Sequence, residues 1–217
     1  MQPEDGAGVA DVDLSNRTVL VTGSTSGIGR ETALALGRLG AEVLVHGRSR
    51  EAGAEVASKL DATAGTGAFH AADFADLDAV EGLAEWARGY DPDVLVNNAG
   101  GYFREGRLAD AGVEYTFTVN HLAGFLLTER LRSALPDNGR IVIVSSEAHR
   151  GGSLDVDALR PVDRYSSWGA DSRTKLANVL HARELARRTA EGCPAANALH
   201  TGVVPATVSV RQPRSPR

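Results

Sequence analysis

The junction between Val21 and Gly29 constrains this chain more tightly than any other feature. A compact apolar run, Thr18-Val19-Leu20-Val21, passes directly into Thr22-Gly23-Ser24-Thr25-Ser26-Gly27-Ile28-Gly29, and apolar residues then recur with helical period. The run predicts a buried strand, and the glycine-rich stretch predicts a tight turn that opens a helix. Glycine removes the side chain that would keep a ligand away from the backbone. The start of a helix presents unpaired N–H groups and the positive end of the helix dipole, so the junction suits a pyrophosphate. Its spacing, Gly-x-x-x-Gly-x-Gly, is one residue longer than the common Gly-x-Gly-x-x-Gly dinucleotide fingerprint. A glycine-rich connector without a ligand has the same composition. Its place at the first strand–helix junction favours dinucleotide binding.

The remainder alternates in the same way. Short β-branched runs at Glu42–Val45, Asp93–Val96 and Arg140–Val144 are separated by Ala- and Leu-rich stretches of helical period. The predicted helices cover about 27–39, 50–60, 76–89, 108–133 and 172–190, and a further strand precedes Asp73. Strands alternating with helices imply βαβ units and a parallel sheet covered on both faces, an α/β doubly wound fold of the Rossmann type. No repeat or internal linker divides the chain, so residues 13–203 are read as one dinucleotide-binding domain. Residues 1–12 read as a flexible leader and 204–217 as an irregular tail rich in Pro, Arg and Ser.

Composition excludes several classes. With 42% hydrophobic and 24% charged residues, the 217-residue chain can bury one well-formed core. A net charge of −5 argues against sequence-independent nucleic-acid binding, which needs a positive surface. Cys193 is the only cysteine, which excludes an internal disulfide and multi-thiolate metal sites, and no metal is expected. The polar N-terminus and the absence of any run of 18 apolar residues point to a cytoplasmic chain without a membrane span. Lys59 and Lys175 are the only lysines beside 21 arginines, an imbalance that a GC-rich genome would explain. Against that background Lys175 carries weight.

Thr22-Gly-x-x-x-Gly-Ile-Gly29, followed by Asn97-Asn98-Ala99-Gly100 after a later strand, resembles the short-chain dehydrogenase/reductase superfamily. Val119–Phe125, Val144–His149 and Lys175-Leu-Ala-Asn178 resemble its retinol-dehydrogenase-like branch. The similarity runs from about Leu14 to Gly202 and implies strand order 3-2-1-4-5-6. It assigns Thr22, Gly23, Ser26, Gly27, Ile28 and Gly29 to the cofactor phosphates, and Asn97, Ala99 and Gly100 to the backbone beneath the adenosine ribose. Asp73 resembles the adenine contact. The second strand ends in Gly47-Arg48 where an acidic residue would read a ribose 2′-hydroxyl, and arginine can pair with a 2′-phosphate. NADP(H) is therefore expected over NAD(H).

Catalysis in this family uses a serine, a tyrosine, a lysine and an asparagine around hydride transfer to a carbonyl or from an alcohol. Ser146, Lys175 and Asn120 match three of them; Lys175 would also hold the nicotinamide ribose. The fourth position is Asp171, because the sequence reads Asp171-Ser172-Arg173-Thr174-Lys175 where tyrosine is expected. A carboxylate one turn from Lys175 suggests an i,i+4 ion pair and cannot donate a proton at neutral pH unless burial raises its pKa. Tyr165 is the nearest upstream tyrosine, read as a loop aromatic.

Asn197–Val204 resembles the strand and turn closing the nicotinamide pocket, with Thr201 at the family's proline. The family's following loop, last helix and last strand have no counterpart in Arg211–Arg217, read as truncation, a changed frame, or completion by a partner. The resemblance further implies a homodimer through the long helices. Three functions remain open. They are an impaired NADP(H)-dependent oxidoreductase on a small-molecule carbonyl or alcohol, a cofactor-binding scaffold without redox chemistry, and an enzyme using Asp171 as a base.

Overall fold

The computed structural model describes residues 2–160, 162–188 and 194–202. Six parallel strands form one sheet in the order β3-β2-β1-β4-β5-β6. They are β1 (Thr18–Val21), β2 (Glu42–Gly47), β3 (Thr66–Ala71), β4 (Val94–Asn97), β5 (Arg140–Ser145) and β6 (Ala195–His200). Helix α1 (Pro3–Ala7) lies within the expected leader, and its Glu4 meets Arg38 at 2.6 Å.

Side-chain alternation along the strands divides the core. Val19, Val21, Val43 and Val45 face α2 (Gly27–Arg38) and α3 (Arg50–Asp61), where Ala33, Leu34, Val56 and Leu60 meet them. Leu20, Leu44, Leu95, Ile141 and Ile143 belong to the other apolar cluster, with side chains of α4 (Leu77–Arg88), α6 (Ala123–Leu131) and α7 (Ser167–Arg188). Burial on both faces explains why the central strands read as nearly continuous apolar runs. Among the described residues no helix is long and apolar enough to cross a membrane.

Two predicted helices differ from those observed. The stretch predicted helical from 108 begins instead with a turn: Leu108 bridges Glu114, and Gly112 takes φ +71°. The Glu114 carboxylate then caps α5 (Tyr115–Phe117), accepting from Thr116 N at 2.6 Å and Phe117 N at 2.9 Å. A single π-helical turn, Thr118–Leu122, separates α5 from α6. Periodicity cannot see such a turn, because it adds one residue without breaking the helix. Helix α7 starts at Ser167 rather than 172; Ser166 O accepts from Ala170 N at 2.8 Å, and Gly169 had weakened the helical signal.

Candidate active site

The phosphate-type turn sits at the C-terminal end of β1, where a doubly wound sheet opens a crevice. Gly23 and Gly27 adopt left-handed φ values of +68° and +56°. A Cβ at Gly23 would lie 2.8 Å from Ala99 Cα, and one at Gly29 would lie 2.5 Å from Gly23 O, so both glycines are required by close backbone approach. Thr22 is fully buried and shapes the turn. Its hydroxyl donates to Val96 O at 3.2 Å and accepts from Asn98 N at 2.9 Å and Ala99 N at 3.0 Å. Asn98 Nδ2 donates to Thr22 O at 2.8 Å, which joins the turn to the segment after β4. A cradle that Cβ atoms would fill, at the start of α2 with Ser26 as its N-cap, fits a dinucleotide phosphate.

The turns after β2 and β3 stand beside it. A Cβ at Gly47 would fall 2.5 Å from Thr25 Cγ2, so a side chain at this strand end would require Thr25 to move. Arg48 follows, half-exposed, with Nη1 3.8 Å from Asp73 Oδ2. The structure thus brings the two residues expected to read the adenosine end next to each other. Asn97 turns its side chain inward, donating to Thr128 Oγ1 at 2.7 Å, which leaves its backbone and that of Ala99 and Gly100 along the crevice.

On the other side of the crevice, Asn120 lies in the π-helical turn with its amide spent on one residue. It accepts from Gly101 N and donates to Gly101 O, both at 2.9 Å. Its backbone carbonyl oxygen is engaged from α7. Asn178 Nδ2 donates to that carbonyl at 3.3 Å and to Val144 O at 3.1 Å, tying α7 to the π-helical turn and to β5. Ser145 is buried and donates to Lys175 O at 2.8 Å. Ser146 opens the short 3₁₀ turn Glu147–Gly151, its Oγ accepting from Ala148 N at 3.0 Å. That bond occupies a lone pair and keeps the hydroxyl proton available to another acceptor. Ser146, Lys175 and Asn120 are thereby held on adjoining elements by Ser145 and Asn178.

The expected Asp171–Lys175 ion pair is not closed: no nitrogen–oxygen contact within 4.0 Å joins them. Burial pushes the Asp171 carboxyl up and the Lys175 ammonium down, and the charge of each partly offsets the shift of the other. Tyr165 is committed elsewhere. Its hydroxyl donates to Phe103 O at 2.8 Å and pairs with Thr116 Oγ1 at 2.8 Å, a structural tie between loop and helix.

Residues 17–158 match the family model described as short chain dehydrogenase. The chain belongs to the short-chain dehydrogenase/reductase family. It falls in the retinol-dehydrogenase-like branch of these nicotinamide-dependent oxidoreductases. One curated relative, the provisionally named daunorubicin C-13 ketoreductase DnrU of Streptomyces sp. (strain C5), is 46% identical over 180 residues, covering 81% of this chain and 62% of its own. Retinol dehydrogenase 14 of Mus musculus is 37% identical over 207 residues, covering 88% of this chain and again 62% of its own. The chain thus spans about 62% of the length of these curated relatives. An uncharacterised protein from Mycobacterium Paratuberculosis superposes with TM-score 0.75 at 39% identity, over 82% of this chain and 65% of that one.

Several residues that organise this short-chain dehydrogenase site carry little signal in the sequence. Asn178 follows Lys175 by three positions, which places both on one helix face, and a buried asparagine in a helix implies a specific partner. Glu114 is a buried helix cap. His46 lies in an apolar strand, where a polar ring signals a hydrogen-bonded group but not its partners.

Proposed function

We propose that this chain binds NADP(H) across residues 13–203 as one domain and transfers hydride between that cofactor and a small-molecule carbonyl or alcohol, with proton transfer impaired at Asp171. The observation that carries the cofactor reading is the end of β2. Gly47 offers no carboxylate there, and Arg48 follows at once. Gly23, Ser26, Gly27, Ile28 and Gly29 would hold the pyrophosphate, with Thr22 shaping their turn. Arg48 would take the 2′-phosphate, Asp73 the adenine, and the Asn97, Ala99 and Gly100 backbone the adenosine ribose.

The bound nicotinamide supplies the hydride. Ser146 offers its free hydroxyl proton to a substrate oxygen, and Lys175 would anchor the nicotinamide ribose. The names of the ketoreductase and retinol dehydrogenase relatives support the carbonyl or alcohol class. A second reading, cofactor binding without redox chemistry, draws support from Asp171, which has no ion-pair contact, and from the neighbouring Ser172 Oγ, buried without a partner.

Calorimetric titration tests the cofactor reading. NADP⁺ should bind better than NAD⁺ by about 1–3 kcal/mol, the worth of charge-assisted hydrogen bonds, and Arg48→Ala should abolish the difference. Equal affinities in the unchanged chain would overturn it.

The same reading includes a homodimer through α6 and α7, whose Phe125 and Leu180 side chains are exposed. Light scattering at micromolar concentration should give twice the chain mass; a monomer would refute the pairing.

A further inference from the structure

We propose that His46 is the positioning residue of the cofactor site: its neutral ring, protonated on Nε2 alone, ties together the turns that follow β1, β2 and β3. The proposal rests on the cofactor reading above. The Gly23 N–H points at His46 Nδ1 from 3.2 Å, and Nε2 lies 3.2 Å from Ala72 O. An amide N–H can only donate and a carbonyl oxygen can only accept. Nδ1 must therefore carry the lone pair and Nε2 the proton. The other tautomer would oppose both partners, and an imidazolium would set its Nδ1–H against the Gly23 N–H.

The backbone of His46 reinforces the tie, because His46 N donates to Ser24 Oγ at 3.0 Å and Ser24 N donates to His46 O at 2.9 Å. The ring stacks on Phe74 with centroids 4.5 Å apart and is 3% exposed. Each bonded segment leads into an expected cofactor contact. Gly23 opens the phosphate turn, Gly47 and Arg48 continue from His46 itself, and Ala72 precedes Asp73.

The titratable groups facing the ring are His70, paired with it in the β2–β3 register, and Asp73. They oppose each other: His70 disfavours the imidazolium and Asp73 favours it. Burial dominates both and holds the ring neutral, with its pKa lowered to about 4.

Long-range ¹H–¹⁵N NMR of the histidine rings in the full chain tests the tautomer directly. At pH 7 His46 should show a protonated Nε2 and a bare Nδ1; an Nδ1–H tautomer or an imidazolium would overturn the proposal. Calorimetry with NADP⁺ tests the positioning. His46→Leu, checked for folding by circular dichroism, should bind about tenfold or more weakly, as expected for losing one buried hydrogen bond at each ring nitrogen. His46→Asn, whose Oδ1 can accept from Gly23 N–H, should recover most of the affinity. A folded His46→Leu that binds as tightly as the unchanged chain, or an Asn variant no better than Leu, would refute the positioning role. If the unchanged chain binds no NADP⁺ while the NMR shows the expected tautomer, the cofactor reading itself has failed and the positioning role falls with it.

Discussion

Asp171→Tyr should raise NADPH-dependent carbonyl reduction by roughly 10²–10⁴-fold, the usual contribution of a general acid placed at the reacting oxygen. Asp171 is shorter than tyrosine by a ring, so its carboxylate cannot reach where a phenol oxygen would stand. Burial pushes its pKa up, and the Lys175 charge one turn away partly offsets that rise. That same charge would lower the pKa of a phenol and make it a better proton donor. Ser146 keeps its hydroxyl proton, and Ser145 and Asn178 already hold the β5 end, Lys175 and the Asn120 turn in place. The assay follows NADPH absorbance with a panel of aldehydes, ketones and quinones, the two proteins side by side. A gain in the variant alone supports a disabled oxidoreductase. No turnover in either, with tight cofactor binding, favours the non-redox reading. Higher activity with Asp171 would show that the carboxylate is the working group.

Acid should destabilise the fold well above the carboxylate range. Burial lowers the pKa of both His46 and His181 to about 4, from 6.5. Above pH 6.5 neither state of the protein protonates these rings. Between pH 6.5 and 4 the unfolded chain takes up protons that the folded chain refuses, so stability falls as pH falls. The loss is about 1.4 kcal/mol per pH unit for each ring, or roughly 3 kcal/mol each by pH 4. Paired surface glutamates such as Glu184, lowered to about 2, add to the loss only once unfolded carboxyls begin to protonate near pH 4.5. Urea unfolding at pH 7, 6, 5.5 and 5 isolates the histidine window. Stability that stays constant across it would refute the assignment. His181→Leu should flatten the slope by about half, since only His46 would then titrate so far from its usual range.

The alternation of strands and helices and the phosphate-type turn were legible because each is encoded locally, whereas the strand order followed from the family resemblance. Strand alternation, helical period and glycine spacing are short-range properties, and Val19, Val21, Val43 and Val45 fall on the opposite face from Leu20 and Leu44 as a period of two requires. The segment 108–114 was misread for the same reason. Its composition is compatible with a helix, and only the left-handed Gly112 and the Glu114 cap divert it.

What each polar group does was a matter for the tertiary structure. The sequence marks Thr22, Asn97 and Asn120 as cofactor or catalytic candidates. Folding commits their side chains to Ala99 and Asn98, to Thr128, and to Gly101. These partners lie 19 to 77 residues away along the chain. The Asp171–Lys175 pair shows the converse. Spacing along one helix allowed an ion pair, yet packing half-buries both groups and leaves the contact unmade. His46 was one polar residue in an apolar strand until the sheet set Gly23 against one of its ring nitrogens and Ala72 against the other. Local pattern determines which elements form and where the glycines must lie, because torsional preference and burial period act over a few residues. Protonation state and hydrogen-bond partner depend on groups that only the folded sheet brings within 3 Å or so of each other.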